Sequence, residues 1–382
     1  MLSKHHILIV GDMLPSGRNI RLFEQGDIRQ LFGEEICRMF AHADYSIFNL
    51  EGPLTDSEEK LVKVGPVLKA PKNTVRSIGK LGGKKIALLA NNHITDYGQT
   101  GYIDTIETLE SAGIMHVGAG NCESMVKKYI TLALGEMKIC IYNVSEKFFN
   151  APSKDAAGVN IYDEYVVCND LKELKSTHDY VIVIYHGGAE YFQYPTPLVS
   201  RRFHRMADCG ADFIVSQHTH CIGCEEYYKK SYFIHGQGNF LFARQKMFPT
   251  LTKSGLILEL IFCNNKVHIV KHLVKITDDT IRLVRNPDFT DFKKRSMTIN
   301  DSEMIEREYT KLKTDEIMDK FLFAAKGNEL SLRIVRKLFP KKLRNYLVNS
   351  YTKQAILMNL CVVDQDRRNE DMYYVWKNLL NK

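Results

Sequence analysis

The sequence predicts a layered α/β fold, two sheets between helices, followed by a helical extension. Three observations carry this. Up to about residue 275, short runs rich in Ile, Val, Leu and Tyr alternate with segments of helical spacing. Turn residues bound most of these runs, so the apolar stretches are strand-sized. After about residue 275 the pattern changes: Ser302 to Lys382 is mostly helical in spacing, densely charged, and broken only by Pro340. The expected division is a domain over residues 1–275 and a helical extension over 276–382.

Taken in order, strands are expected at His6–Asp12, Tyr45–Glu51 and Lys85–Asn91. Between the second and third lies "LEGPLTDSEEKLVKVGPVLKAP", whose prolines, glycines and charges predict a loop over the face where the strands end. "GYIDTIETLESAGI" then has helical spacing and stops at glycine. Further strands are expected at Tyr129–Leu134, Lys138–Val144 and Tyr180–His186. The helix "LVSRRFHRMADCGA" follows, and then strands at Asp212–Gln217, Ser231–His235, Gly255–Phe262 and Lys266–Lys271. Apolar faces of strands and helices must be buried against one another, which is why these elements resolve into layers.

Composition narrows the class. The chain has 382 residues, 45% hydrophobic and 25% charged, enough for a sizeable core. A net charge of +7 permits anionic partners without indicating nucleic acid. The nine cysteines are an odd number and several sit in apolar runs, such as Cys140 and Cys263, as reduced buried thiols do. The chain opens almost directly in a strand and no apolar run reaches bilayer length, so a cytoplasmic protein is expected, with peripheral contact at the inner membrane face open to it.

The chemistry gathers where strands end. The first ends in Asp12, the second in Glu51, the third in Asn92 and His93, a later one in His186, and another in His218 and His220. Sites in open α/β sheets form at the carboxyl ends of strands. Mixed nitrogen and oxygen donors suit Zn, Mn, Fe or Co. In His218-Thr219-His220, alternate residues of an extended segment project to one side, so both imidazoles could reach one dinuclear centre. A carboxylate such as Glu51 can bridge two metals about 3.5–4 Å apart.

The ordered set "GD", "NLEGPLT", "NNHITDYG", "HGGAEY", "QHTHCIGCEEY" and "GQGNFLF" resembles the CapA family of bacterial capsule-biosynthesis proteins, over about residues 5–275. That family takes part in making poly-gamma-glutamate capsules and is similar to calcineurin-like metallophosphoesterases. The resemblance implies a four-layered αββα sandwich and one or two divalent transition metals, Mn, Zn or Fe. It implies Asp12 as the first-strand ligand, Glu51 in place of a bridging aspartate, Asn92 as an amide ligand, and His186, His218 and His220 as later ligands. It implies His93 as the group assisting the leaving group. Asp96, three residues on, is placed to orient His93. Glu190 and Asn239 lie in family motifs without a role. Leu14 stands where a metallophosphoesterase usually has a histidine ligand.

Other signals read more plainly. Cys221 and Cys224 have no second such pair to complete a zinc site and are expected to pack in a turn. His5, His6, His42, His116, His178, His204, His235, His268 and His272 are expected to be structural or solvated, with His235 nearest the site. "GAGN" at Gly118–Asn121 lacks the spacing of a phosphate loop. The stretch "LSLRIVRKLFPKKLRNYLV" is basic and amphipathic, so it suits either docking on the main domain or an anionic membrane surface.

Two functions are therefore expected to compete. The first is a metal-dependent hydrolase of phosphoester type, or of an amide or acyl group, with an anionic small molecule or polymer precursor as substrate. The second is a non-catalytic accessory or binding protein that works with surface-polymer synthesis enzymes. Nucleic acid is not expected as a partner: there is one Trp, the charge is modest and no recognition motif occurs.

Overall fold

The computed structural model describes residues 4–310 except 64, 149, 243–248, 264, 265 and 278. The amphipathic segment around residues 330–348 and most of the expected helical extension lie outside the described residues. The first compact unit runs to Glu306, past the boundary expected near residue 275, because the strand ladder and a short helix continue beyond it.

The strands are β1 (His5–Leu14), β2 (Tyr45–Leu50), β3 (Lys84–Leu88), β4 (Met115–Val117), β5 (Ala119–Gly120), β6 (Tyr129–Leu134), β7 (Met137–Ser145), β8 (Gly158–Val159), β9 (Tyr180–His186), β10 (Phe213–Gln217), β11 (Ile222–Tyr228), β12 (Ser231–Gln237), β13 (Asn239–Phe242), β14 (Ser254–Cys263), β15 (Lys266–Thr277) and β16 (Thr280–Leu283). The helices are α1 (Ile20–Gln25), α2 (Ile28–His42), α3 (Val75–Lys80), α4 (Gly98–Ser111), α5 (Glu164–Thr177), α6 (Pro197–Asp208) and α7 (Thr290–Met297). One sheet has the order β16-β15-β14-β1-β2-β3-β4, with β13 also paired to β1, and the other the order β11-β12-β10-β9-β7-β6.

Three apolar cores show how the layers stack. Ile7, Ile9 and Ile47 of one sheet pack against Ile141, Ile182 and Ile184 of the other. Leu8 and Val10 point the opposite way, as strand alternation requires, onto Phe32, Ile36 and Phe40 of α2. Val181 and Val183 likewise face Leu171 of α5 and Phe203 of α6. The molecule is therefore a four-layered αββα sandwich. Because β9 is covered on both faces, its sequence "YVIVIYH" is apolar throughout rather than alternating.

Local signals start the helices. Asp27 accepts from the Gln30 amide at the head of α2, and Asp163 from the Val166 amide at the head of α5. Thr196 caps α6, with Pro197 in its first turn. Neither α2 nor α5 was among the helices expected. Their apolar stripes are narrow, and they become helical by packing on the outer faces of the two sheets.

Buried amides stitch the sheets together near their carboxyl ends. Gln217 Nε2 donates to Val10 O (3.0 Å) and Gln237 Nε2 to Ile9 O (2.6 Å). Asn143 Oδ1 accepts from the Ala90 amide (2.8 Å) while its Nδ2 donates to Ile184 O (3.1 Å). Each bond satisfies polar groups that would be costly to bury alone, and together they hold the two strand edges in register.

A second polar cluster crosses β1, β14 and β15, away from those edges. Glu259 lies 2.7 Å from His6 Nδ1 and 2.8 Å from His272 Nε2. The His272 contact, opposed by burial and aided by His6, depresses the Glu259 carboxyl from 4.5 to about 2. A depressed carboxyl stabilises the fold above its ordinary range, and that contribution is lost as pH falls from about 4.5 towards 2. Glu259→Gln is expected to cost about 2 kcal/mol at neutral pH. In denaturant melts from pH 7 down to pH 2, the gap from wild type should close through that window.

Candidate metal centre

β1, β2 and β3 run parallel, as do β9 and β10, so their carboxyl ends deliver side chains to one rim. β1 breaks register against β2 and β13 around Asp12. Gly11 sits at this irregularity, and the carbonyl of Gly238 occupies the position a Cβ would take. Bulges of this kind re-aim a side chain, and here Asp12 turns inward and is fully buried.

The structure brings together every residue expected as a ligand. Asp12, Glu51 and His220 form one buried trio, and Glu51, His186 and His218 form another, with the candidate ligand atoms of each trio within 4.8 Å of one another. Glu51 belongs to both. Its Oε1 lies 3.7 Å from His186 Nε2 and 3.7 Å from His220 Nε2. Asn92 joins the second trio, its Oδ1 2.9 Å from His186 Nε2. His218 packs its ring against His186, with centroids 4.9 Å apart, and donates its backbone N–H to Asp12 Oδ2 (3.2 Å).

The two late histidines arrive by a different route from the expected one. His218 and His220 are not in an extended segment. They lie in the turn after β10 with φ of 90° and 55°. Positive φ costs a non-glycine residue energy and persists where the surroundings demand it. Tyr191, with φ of 63°, donates its amide to Thr219 O (2.8 Å) and ties the "HGGAEY" loop to this turn. As a result His218 and His220 diverge, one to each trio.

The electrostatics fit a cation. Glu51 is fully buried, and neither carboxylate oxygen has a hydrogen-bond donor, a state that normally carries a large penalty. Burial, and then the Asp12 charge, pushes its carboxyl well above the usual range. Burial followed by His218 and His220 holds the His186 imidazole well below its own. For His220, burial works against the charged form, but Glu51 and Asp12 outweigh it and raise the imidazole to about 10. Partly exposed Glu190 adds negative potential at both Glu51 and His220. An orphaned carboxylate ringed by imidazoles and a second carboxylate is a donor set suited to Zn, Mn or Fe.

Next to the trios stands His93, with Nδ1 2.7 Å from Asp96 Oδ2. A carboxylate can only accept, so Nδ1 carries the proton. Burial lowers the His93 imidazole against the pull of Asp96. The amide of Leu68 also donates to Asp96 Oδ2 (2.7 Å), and Lys63 Nζ pairs with Asp96 Oδ1. Lys63 also donates to Asn92 O (3.1 Å) and lies 3.2 Å from His93 Nδ1, its side chain only 3% exposed.

Lys63 escapes the sequence reading, because a lysine in a charged loop looks solvated. Asn49 and Asn91 escape it too. Asn49 Nδ2 donates to Asp12 Oδ1 (2.8 Å) and lies 3.3 Å from His186 Nδ1, and Asn91 Nδ2 donates to Asn49 Oδ1 (3.1 Å). The available signal was an asparagine inside or just after an apolar strand, which is costly to bury without a task. His235 points away from the site: it bonds Glu226 (2.8 Å) and stacks on Phe203 in the outer core. Cys221 and Cys224 are buried free thiols, but Cys224 lies in β11, paired with His235, rather than in the turn expected for it, and burial pushes the Cys221 thiol up to about 12. Leu14 is 1% exposed and belongs to the outer core of the first sheet.

Four layers around a strand-end cluster of carboxylates, imidazoles and an amide define an αββα protein with a candidate metal centre. Residues 6–244 match the family described as bacterial capsule synthesis protein PGA_cap, and the chain belongs to that family. It is 27% identical over 243 residues to the capsule biosynthesis protein CapA of Bacillus anthracis, the match covering 61% of this chain and 59% of the relative. It is 29% identical over 238 residues to the PGA biosynthesis protein CapA of Bacillus subtilis strain 168, covering 61% and 62%. The match thus spans about three-fifths of either relative's length. A putative 5'-nucleotidase from Staphylococcus aureus, solved in complex with alpha-ketoglutarate, is similar at a TM-score of 0.47 and 13% identity, covering 78% of this chain and 58% of that one. Among the described residues, no helix is long and apolar enough to cross a membrane.

Proposed function

We propose that the protein is a metal-dependent hydrolase of phosphoester type that acts in capsule or surface-polysaccharide synthesis. The observation that carries this reading is the shared, donor-free carboxylate of Glu51 between two histidine-bearing trios. Asp12, Glu51 and His220 would hold one divalent transition ion, and Glu51, Asn92, His186 and His218 a second, with Mn, Zn or Fe as the candidates. When bound, such ions polarise a phosphoryl oxygen and lower the pKa of water.

The chain's own residues supply the rest. Asp96 accepts the Nδ1 proton of His93, so Nε2 is the nitrogen left for substrate, and it is the imidazolium form, with Nε2–H, that would pass a proton to the leaving-group oxygen. Lys63 and the Leu68 amide hold Asp96 in place. The substrate in this reading is an anionic small molecule or polymer precursor. The polymer-synthesis enzymes are the expected protein partners, and the basic stretch of sequence over residues 330–342 is a candidate contact with anionic membrane.

The test is hydrolysis of a phosphomonoester and phosphodiester panel by Mn-loaded protein and by His218→Ala. Cleavage that needs the ion and falls in the variant is expected. The accessory reading rests on one observation: with Leu14 in the core, the Asp12 trio offers three ligands among the described residues. Ion-replete protein that cleaves nothing in the panel would put that reading first.

A further inference from the structure

We propose that Asn239 is a positioning residue for the candidate metal centre, holding the proton of His220 on Nδ1 so that Nε2 is the nitrogen offered to the ion. The inference rests on the metal reading above and concerns a residue to which the family motif gives no role.

β13 places Asn239 directly beside Asp12 in the parallel pairing with β1. The side chain is 3% exposed. Its Nδ2 donates to Thr252 O at 2.9 Å. A carbonyl only accepts, so this bond fixes which way the amide faces. The opposite atom, Oδ1, lies 2.9 Å from His220 Nδ1. Since Oδ1 is also an acceptor, Nδ1 must be the donor, and it shares its proton with Asp12 Oδ2 at 3.2 Å. An ion would take the place of the second proton, and in the neutral imidazole that results the lone pair is on Nε2, the atom that lies 3.7 Å from Glu51 Oε1.

A backbone carbonyl thus sets an amide, the amide sets a tautomer, and the tautomer aims a ligand. The geometry matters more here than at His186. The His220 trio has three candidate ligands, and the other has Asn92 in addition. His220 also sits at a positive φ of 55°, so its backbone alone is a poor guarantee of ring orientation. Groups that orient a ligating histidine are commonly worth 10- to 100-fold in metal affinity.

The experiment is titration of the full chain with MnCl2 by calorimetry, with metal content checked by elemental mass spectrometry. Wild type would be compared with Asn239→Leu, which removes the acceptor, and Asn239→Asp, which keeps an acceptor oxygen and loses the donor. Asn239→Leu should weaken one binding event by about 10- to 100-fold and spare the other. Asn239→Asp keeps the acceptor for Nδ1 but loses the bond to Thr252 O, so it should fall between wild type and Asn239→Leu. An Asn239→Leu chain that binds Mn as tightly as wild type overturns the inference and leaves the metal reading standing. Equal loss of both events, or equal weakening in both variants, would assign Asn239 to folding alone and also overturn it. A wild-type chain that binds no Mn overturns the metal reading itself.

Discussion

Glu51→Gln should empty the whole centre. Both trios use this carboxylate, so one substitution is expected to remove both ions, where His218→Ala or His220→Ala should each remove one. The readout is metal per chain together with the ion-dependent rise in melting temperature. An ion at 100 times its dissociation constant stabilises by about 2.7 kcal/mol, worth roughly 4 °C for a unit that runs to Glu306. Wild type should show that rise and Glu51→Gln should show none. The metal-free variant should melt no lower than metal-free wild type, because the carboxylate it loses is buried without a donor. Stoichiometric metal in purified Glu51→Gln would show that the shared ligand lies elsewhere.

The second large effect is on turnover alone. In the hydrolase reading His93→Gln is expected to lower kcat by about 10²- to 10⁴-fold while metal content stays at the wild-type level, because His93 faces Asp96 and Lys63 and belongs to neither trio. Loss of metal in this variant would make His93 part of the centre. Unchanged kcat on a substrate that the wild type cleaves would remove it from the leaving-group side.

Much of this was legible in the chain. The unbroken apolar runs of β1 and β9 announce strands covered on both faces. The strand ends carry donor atoms, and those donors do meet. The helices α2 and α5 were less legible, because their faces acquire meaning only once a sheet is there to cover. Cys221 and Cys224 stand as a caution in the other direction: a suggestive spacing that turned out to be two buried thiols.

By itself, then, the sequence determined the kinds of donor atom and the rim on which they gather. Donor types at strand ends are local facts, and local pattern sets strand direction and face. Only the tertiary structure decided how the donors divide. Asp12 and His218 are 206 residues apart, and what joins them is the stitching of two sheets by Gln217, Gln237 and Asn143. The left-handed turn that sends His218 and His220 to different trios has no counterpart in spacing. The burial of Lys63 and the Thr252–Asn239–His220 relay depend on backbone groups that no sequence pattern displays. Hydrogen-bond geometry is set within tenths of an ångström, and that precision comes only from packing the whole domain.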